Sequence, residues 1–182
     1  MPVGLLICGP PGTGKSSNIP LVLKNADFKD EFVLVDPDKI TADTHAEQSS
    51  KAIVLLAETV DERKDVVYVG SCLSVSAINA ILKKMKSKKY RTVVAIAYSS
   101  LSTALKRIAA RKDQPLDADI ASEVYTYFST KAQRYMNLPA IDEIYLYNNE
   151  TDFNLLFSRK KKKIKCSDPH GEFYFDVSKY CS

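Results

Sequence analysis

Gly9-Pro10-Pro11-Gly12-Thr13-Gly14-Lys15-Ser16 constrains this chain more than any other stretch, because it completes the spacing G-x-x-x-x-G-K-[ST]. It follows the apolar run Val3–Cys8 and precedes a helical pattern over Lys15–Lys24, the strand–loop–helix context that the spacing requires. Glycine at three positions lets the backbone turn tightly, so that consecutive N–H groups converge on phosphate oxygens. Lys15 adds a charge able to reach β- and γ-phosphates, and the Ser16 hydroxyl suits Mg²⁺. The helix that follows points the positive end of its dipole at the same anion. Chance matches to such a pattern occur, but rarely directly behind a strand. The expected ligand is therefore ATP or GTP with Mg²⁺, held by Gly9, Pro10, Pro11, Gly12, Thr13, Gly14, Lys15, Ser16 and the adjoining Ser17.

Beyond the loop, apolar β-rich runs recur at Phe32–Val35, Val66–Val69, Thr92–Ala97 and Ile144–Tyr147. Helical patterns separate them, at Ala46–Val60, Ser74–Met85, Ser102–Arg111 and Ala118–Tyr135. Such alternation predicts an α/β fold with a mainly parallel sheet covered on both faces. Unbroken hydrophobicity over Val93–Ala97 fits a strand buried on both sides. After Asn148-Asn149 the alternation stops. A last short helix is expected over Thr151–Ser158, then a basic run, then either an edge strand or a docking tail over Gly171–Val177. The expected division is a nucleotide-binding domain over 1–158 and a basic C-terminal tail over 159–182. Tyr125, Tyr127, Tyr145 and Tyr147 fall in helix or strand patterns and read as packing residues rather than base-stacking platforms.

The net charge of +4 is not spread over the chain. Arg159, Lys160, Lys161, Lys162, Lys163 and Lys165 lie within seven positions, and without them the remainder is slightly acidic. Any attraction to nucleic acid is thus confined to Arg159–Lys165, whose alternative reading is a solvated tail. No apolar run approaches the roughly 20 residues of a bilayer span, so no membrane partner is expected. The first strand begins at once, leaving no room for a signal peptide. Cys8, Cys72, Cys166 and Cys181 show no metal-ligand spacing, and reduced thiols in the cytoplasm are expected.

Two further stretches carry chemistry. The second strand ends in Val35-Asp36-Pro37-Asp38-Lys39, and ligands of open α/β sheets sit beyond strand C-terminal ends. One carboxylate there could take the proton of a hydroxyl attacking a γ-phosphate, and the alternative is an acidic turn capping the next helix. Arg107 and Arg111 stand four apart, as on one helix face, before a proline-containing loop. They could neutralise charge on a transferred phosphoryl group, or simply form a solvated basic helix end. His45 and His170 are lone histidines and read as surface or cap residues.

In this order, GPPGTGKS, VDPDKIT and LKRIAARKDQPLDADIASEVY resemble the small-molecule and polynucleotide kinases of the P-loop superfamily. Zeta-toxin kinases and the kinase domain of polynucleotide 5′-hydroxyl kinases are the nearest in pattern, over about Val3 to Asn148. The resemblance implies a three-layer sandwich with strand order 2-3-1-4-5 and a short lid, as in nucleoside-monophosphate kinases. It implies Asp38 as catalytic base, with Asp36 at the family's Asn position and Thr41 at its Arg position. It implies Lys15, Arg107 and Arg111 on the transferred phosphoryl group, Ser16 and Asp36 on the magnesium side, and Gln114-Pro115-Leu116-Asp117 as a helix start.

Two positions depart from that pattern. Thr41 replaces an acceptor-side arginine, and the third strand ends in Gly70-Ser71-Cys72 without a carboxylate. The chain has no D-E pair of the Walker B kind, which counts against a mechanical or AAA-type ATPase. The expected function is transfer of a γ-phosphoryl group to a hydroxyl of a nucleic acid, nucleoside or nucleotide sugar. The alternatives are a nucleotide-binding switch, a slow NTPase without an acceptor, or a non-catalytic nucleic-acid binding module.

Overall fold

The computed structural model describes residues 1–28, 31–112 and 116–181, over which strands and helices alternate as far as Asn148. The strands are β1 (Val3–Cys8), β2 (Val33–Val35), β3 (Val66–Gly70), β4 (Arg91–Tyr98) and β5 (Glu143–Asn148), followed by β6 (Asn154–Lys160) and β7 (Lys163–Cys166). The helices are α1 (Ile19–Asn25), α2 (His45–Asp61), α3 (Val75–Ser87), α4 (Leu101–Ala109) and α5 (Ala118–Ser129). They form one sheet in the order β2-β3-β1-β4-β5-β6-β7. Its first five strands are parallel, in the expected order, and give the chain a P-loop NTPase fold.

Every side chain of β1 is buried, because both faces of the sheet are covered. Leu6 and Cys8 join Leu56 and Val60 of α2, Leu82 and Met85 of α3 and Phe128 of α5 on one face. Leu5 and Ile7 point the other way, onto Val22 of α1. A central strand read as continuously apolar is the consequence. At Gly4 a β-carbon would meet the Met85 sulfur at 2.5 Å, so glycine lets α3 approach the sheet. Helix starts are capped by side chains that the sequence supplies locally. Thr44, Ser74, Ser100 and Asp117 each accept from a backbone N–H of the first turn.

Two expectations fail. The helix expected over Thr151–Ser158 is strand β6, antiparallel to β5, with Leu156, Phe157 and Ser158 buried. A short apolar run fits either period, and the open edge of β5 supplies the hydrogen-bonding partners that decide it. Strand β6 runs on through Arg159 and Lys160, and β7 returns from the turn at Lys161-Lys162. The basic run is therefore a hairpin rather than a solvated tail. Glu143, which opens β5, pairs with Lys160. The hairpin tip thus lies at the end of the sheet where the parallel strands begin, opposite the loop after β1. Of the two readings of Gly171–Val177, the docking tail is the one seen: the segment forms no strand, and the Tyr174 hydroxyl donates to the Ala97 carbonyl at 2.8 Å.

Nor are the cysteines reduced: Cys8–Cys72 and Cys166–Cys181 are disulfides, with Cα separations of 5.4 and 5.8 Å. Linear spacing hides both pairs. β1 lies beside β3 with Cys8 opposite Gly70, two residues before Cys72, while the chain's last turn, Val177–Tyr180, brings Cys181 back to the end of β7. Tyr145 and Tyr147 are buried and stack on one another as packing residues, whereas Tyr127 stands 52% exposed.

Candidate active site

Beyond the C-terminal ends of β1, β2 and β3 lies a cleft of about 530 Å³. The loop Gly9–Ser16 forms its floor, and Pro11, Gly12, Gly14, Lys15 and Ser16 line it. Gly9, Gly12 and Gly14 have φ of 149°, 80° and 82°, a region L-residues avoid. The spacing of the motif follows from that backbone. Gly9, Pro10, Thr13 and Ser17 do not line the cleft. Thr13 is fully buried and donates its hydroxyl to the Pro10 carbonyl at 2.8 Å, bracing the loop from behind.

Lys15 folds back over this loop, its Nζ donating to the Gly9 and Pro10 carbonyls at 2.7 and 2.8 Å. Burial of the ammonium lowers its pKa to about 8; Arg111 acts in the same direction, and Asp38 and Asp36 act against it. Ser16 opens a 3₁₀ turn, Ser16–Asn18, that leads into α1.

Asp36 and Asp38 both line the cleft, beside the loop. Asp36 is 5% exposed and caps the 3₁₀ turn Pro37–Lys39, accepting from the Asp38 N–H at 3.1 Å. The turn-capping reading of the pair therefore holds for Asp36, and it also points both carboxyl groups' segment at the cleft. Desolvation raises the Asp36 pKa, with the Asp38 charge adding to it. Tyr68, on β3 beneath the pair, is held up to about 12 by burial and then by the two carboxylates. A β-carbon on Gly70 would meet the Tyr68 hydroxyl at 2.6 Å, so this glycine makes room for the ring.

The two arginines separate. Helix α4 ends at Ala109, and the Arg111 N–H bonds back to the Ile108 carbonyl, so the two do not share a helix face. Arg111 lines the cleft. Arg107 does not; its guanidinium donates to the carbonyls of Gly12 at 3.4 Å and Glu150 at 3.3 Å. Thr41 is exposed and outside the lining, whereas Gly70 and Ser71 lie within it. Gln114 and Pro115 lie outside the described residues; Asp117 caps α5.

Sequence reasoning missed the opposite wall. His45, Gln48 and Ser49 come from the start of α2, Leu73 and Leu116 from the connections before α3 and α5, and Ile120 and Val124 from α5. Their signal was helical periodicity, which speaks of packing and not of a cleft. His45, read as a surface or cap residue, is the first residue of α2 and bonds Gln48 at 3.0 Å at the cleft's rim.

Fold and loop together define a nucleotide-binding protein of the P-loop NTPase class. More narrowly, the chain matches the family model of the ATPase family associated with various cellular activities (AAA) over residues 5–114, and it belongs to that family. The lack of a D-E pair of the Walker B kind at a strand's C-terminal end, which counted against an AAA-type ATPase, does not exclude the chain from it. No curated protein matches the chain. Among solved structures, the AvrRxo1-ORF1:AvrRxo1-ORF2 complex with ATP is similar at 15% identity and a TM-score of 0.71, covering 92% of this chain and 61% of that one. The PezAT toxin–antitoxin system of Streptococcus pneumoniae is similar at 14% identity and a TM-score of 0.61, covering 87% and 71%. The Pnkp1/Rnl/Hen1 RNA repair complex follows at 14% and 0.56, covering 73% and 46%. The chain thus spans about three fifths of the first of these. At such identities the likeness is one of fold.

Proposed function

We propose that this protein is a kinase transferring the γ-phosphoryl group of ATP or GTP to a hydroxyl acceptor. The observation that carries this reading is that Lys15, Asp36, Asp38 and Arg111 open on one cleft, with space left beside the phosphate loop. In this reading Gly9–Ser16 holds the donor. Asp38 accepts the proton as the acceptor oxygen bonds to the γ-phosphorus and the bond to the β-phosphate oxygen breaks, releasing the nucleoside diphosphate. Lys15 and Arg111 meet the charge on the moving phosphoryl group, while Arg107 fixes α4 to the loop.

Among the described residues no three His, Cys, Asp or Glu side chains form a metal cluster. Mg²⁺ binds through few protein ligands plus substrate phosphates and water, and the Ser16 hydroxyl and Asp36 carboxylate at the cleft are oxygen donors of that kind. Ser16 and Asp36 would hold it, where it would offset phosphate charge.

The cleft favours a compact acceptor. Among the described residues its lining carries no lysine or arginine apart from Lys15 and Arg111, and the part of its far wall made by Leu116, Ile120 and Val124 is apolar. A nucleoside or nucleotide sugar fits such a wall better than a polynucleotide held by Arg159–Lys165, because that hairpin tip lies at the other end of β5. Six residues of strand put roughly 20 Å between them. We place the activity in the cytoplasm, where its donor is abundant, although disulfides are uncommon there. γ-Labelled ATP offered with nucleosides, nucleotide sugars and 5′-hydroxyl oligonucleotides tests the proposal. Label in an acceptor supports it; label only in inorganic phosphate supports a slow NTPase. The family match to ATPases and the exposed Thr41 favour that second reading.

A further inference from the structure

The end of β5 and the connection after it hold three consecutive polar residues, each anchored to a different part of the molecule. Asn148 donates its amide to the Glu172 carbonyl at 2.9 Å and accepts from the Glu150 N–H at 2.7 Å. Glu150 accepts from the backbone N–H and hydroxyl of Ser100 at 2.6 and 2.7 Å and from the Thr103 hydroxyl, closing the start of α4. Between them Asn149 is 8% exposed, and its N–H donates to the Tyr98 carbonyl at 2.7 Å. Its side-chain Nδ2 donates to the carbonyl of Thr13 at 3.0 Å, across 136 positions of sequence. The approach is close: a β-carbon on Gly14 would stand 2.0 Å from that Nδ2.

The carbonyl of Thr13 and the N–H of Gly14 belong to one planar peptide and point in opposite directions. Drawing the carbonyl toward Asn149 turns the N–H away from it, toward the cleft that Gly14 lines. We propose that Asn149 is a positioning residue for the nucleotide, holding the Thr13–Gly14 peptide in its phosphate-binding orientation before the nucleotide arrives. Glycine at position 14 lowers the cost of turning that peptide over, so a buried donor is what holds it. This inference rests on the donor-site reading given above.

Asn149→Asp replaces the amide donor with a carboxylate of the same shape. At pH 8 its Kd for ATP should rise at least about tenfold, the scale for a buried polar group left facing its like, while kcat at saturating ATP changes less than about threefold. On acidification the protonated carboxyl can donate to the same carbonyl, so the deficit relative to wild type should shrink. Asn149→Ser removes the reach without adding charge; it should weaken ATP binding as well, with no recovery in acid. Kd is measured by titration of each folded variant with ATP, alongside its melting temperature and Lys15→Ala. If either Asn149 variant binds ATP within twofold of wild type at pH 8 while Lys15→Ala does not bind, the inference fails and the donor site stands. A lowered melting temperature with unchanged Kd overturns it equally. If wild type itself does not bind ATP, the donor-site reading fails and takes the inference with it.

Discussion

Under the proposed kinase reading the cleft has a donor side and an acceptor side, and the two are built differently. The donor side is backbone: a loop whose shape follows from three glycines at positive φ, braced from behind by Thr13 and crossed by Lys15. The acceptor side is made of side chains from α2, β3, α5 and the connections before α3 and α5, which meet only in the folded sheet. Backbone geometry at a short spacing leaves a signature in sequence, and convergence over long separations does not. The donor side should accordingly be intolerant of single changes, and the acceptor side should set which molecule is phosphorylated.

The largest effect is expected on the donor side. Lys15→Ala should abolish nucleotide turnover and weaken ATP binding at least about a hundredfold, since one side chain supplies the charge opposite the β- and γ-phosphates. Isothermal titration and a turnover assay measure both. Wild-type affinity and rate in this variant would erase the contrast between the two sides.

How far the sequence could be read follows the same line. Strands β1 to β5 and the loop were legible because period and motif are local, whereas the strand order came only through the resemblance to P-loop kinases. That Asp36 and Asp38 line the cleft was legible because they follow a strand whose end lies beside the loop. Spacing alone pairs Arg107 with Arg111, and the turn after Ala109 parts them. Asn149, Tyr68 and the α5 wall were not found, because nothing near them in sequence marks a buried amide or an apolar cleft wall. The disulfides were missed for the same reason: Cys8 and Cys72 are 64 positions apart and become neighbours only through β1–β3 pairing.

Between the two sides stand the carboxylates. Asp38→Asn should lower kcat at least about a hundredfold and leave ATP Kd nearly unchanged, as expected for loss of a general base. Asp36→Asn should instead raise the magnesium concentration needed for half-maximal rate. The opposite assignment would show that Asp36, the buried member with the raised pKa, is the base.

A smaller effect concerns pH. Burial holds free Lys15 near 8, below the ordinary lysine value, and bound phosphate favours its charged form. Below about pH 8 the lysine is already charged and nucleotide binding takes up no proton at it. Above that value binding must first protonate it, so ATP Kd should rise by up to about tenfold per pH unit between 8 and 10. A titration series over that range checks this, and a Kd independent of pH up to 10 would show that Lys15 is not buried as described.

The smallest effect is expected farthest from the cleft. Among the described residues Lys161, Lys162, Lys163 and Lys165 form no ion pair, whereas Lys160 is held by Asp27 at 2.8 Å. Changing those four lysines to glutamine removes most of the charge at the hairpin. With a compact acceptor, KM for acceptor and for ATP should stay within twofold, because the hairpin tip lies at the far end of β5. With an oligonucleotide acceptor the outcome depends on its length. A short one is confined to the cleft and should also be unaffected. One long enough to pass around the sheet should lose affinity and show a flatter dependence on salt, since fewer counterions are released on binding. Comparing KM against salt for short and long oligonucleotides separates these cases. A strong effect on a short acceptor would mean that the hairpin and the cleft act as one site, against the topology that places them at opposite ends of the sheet.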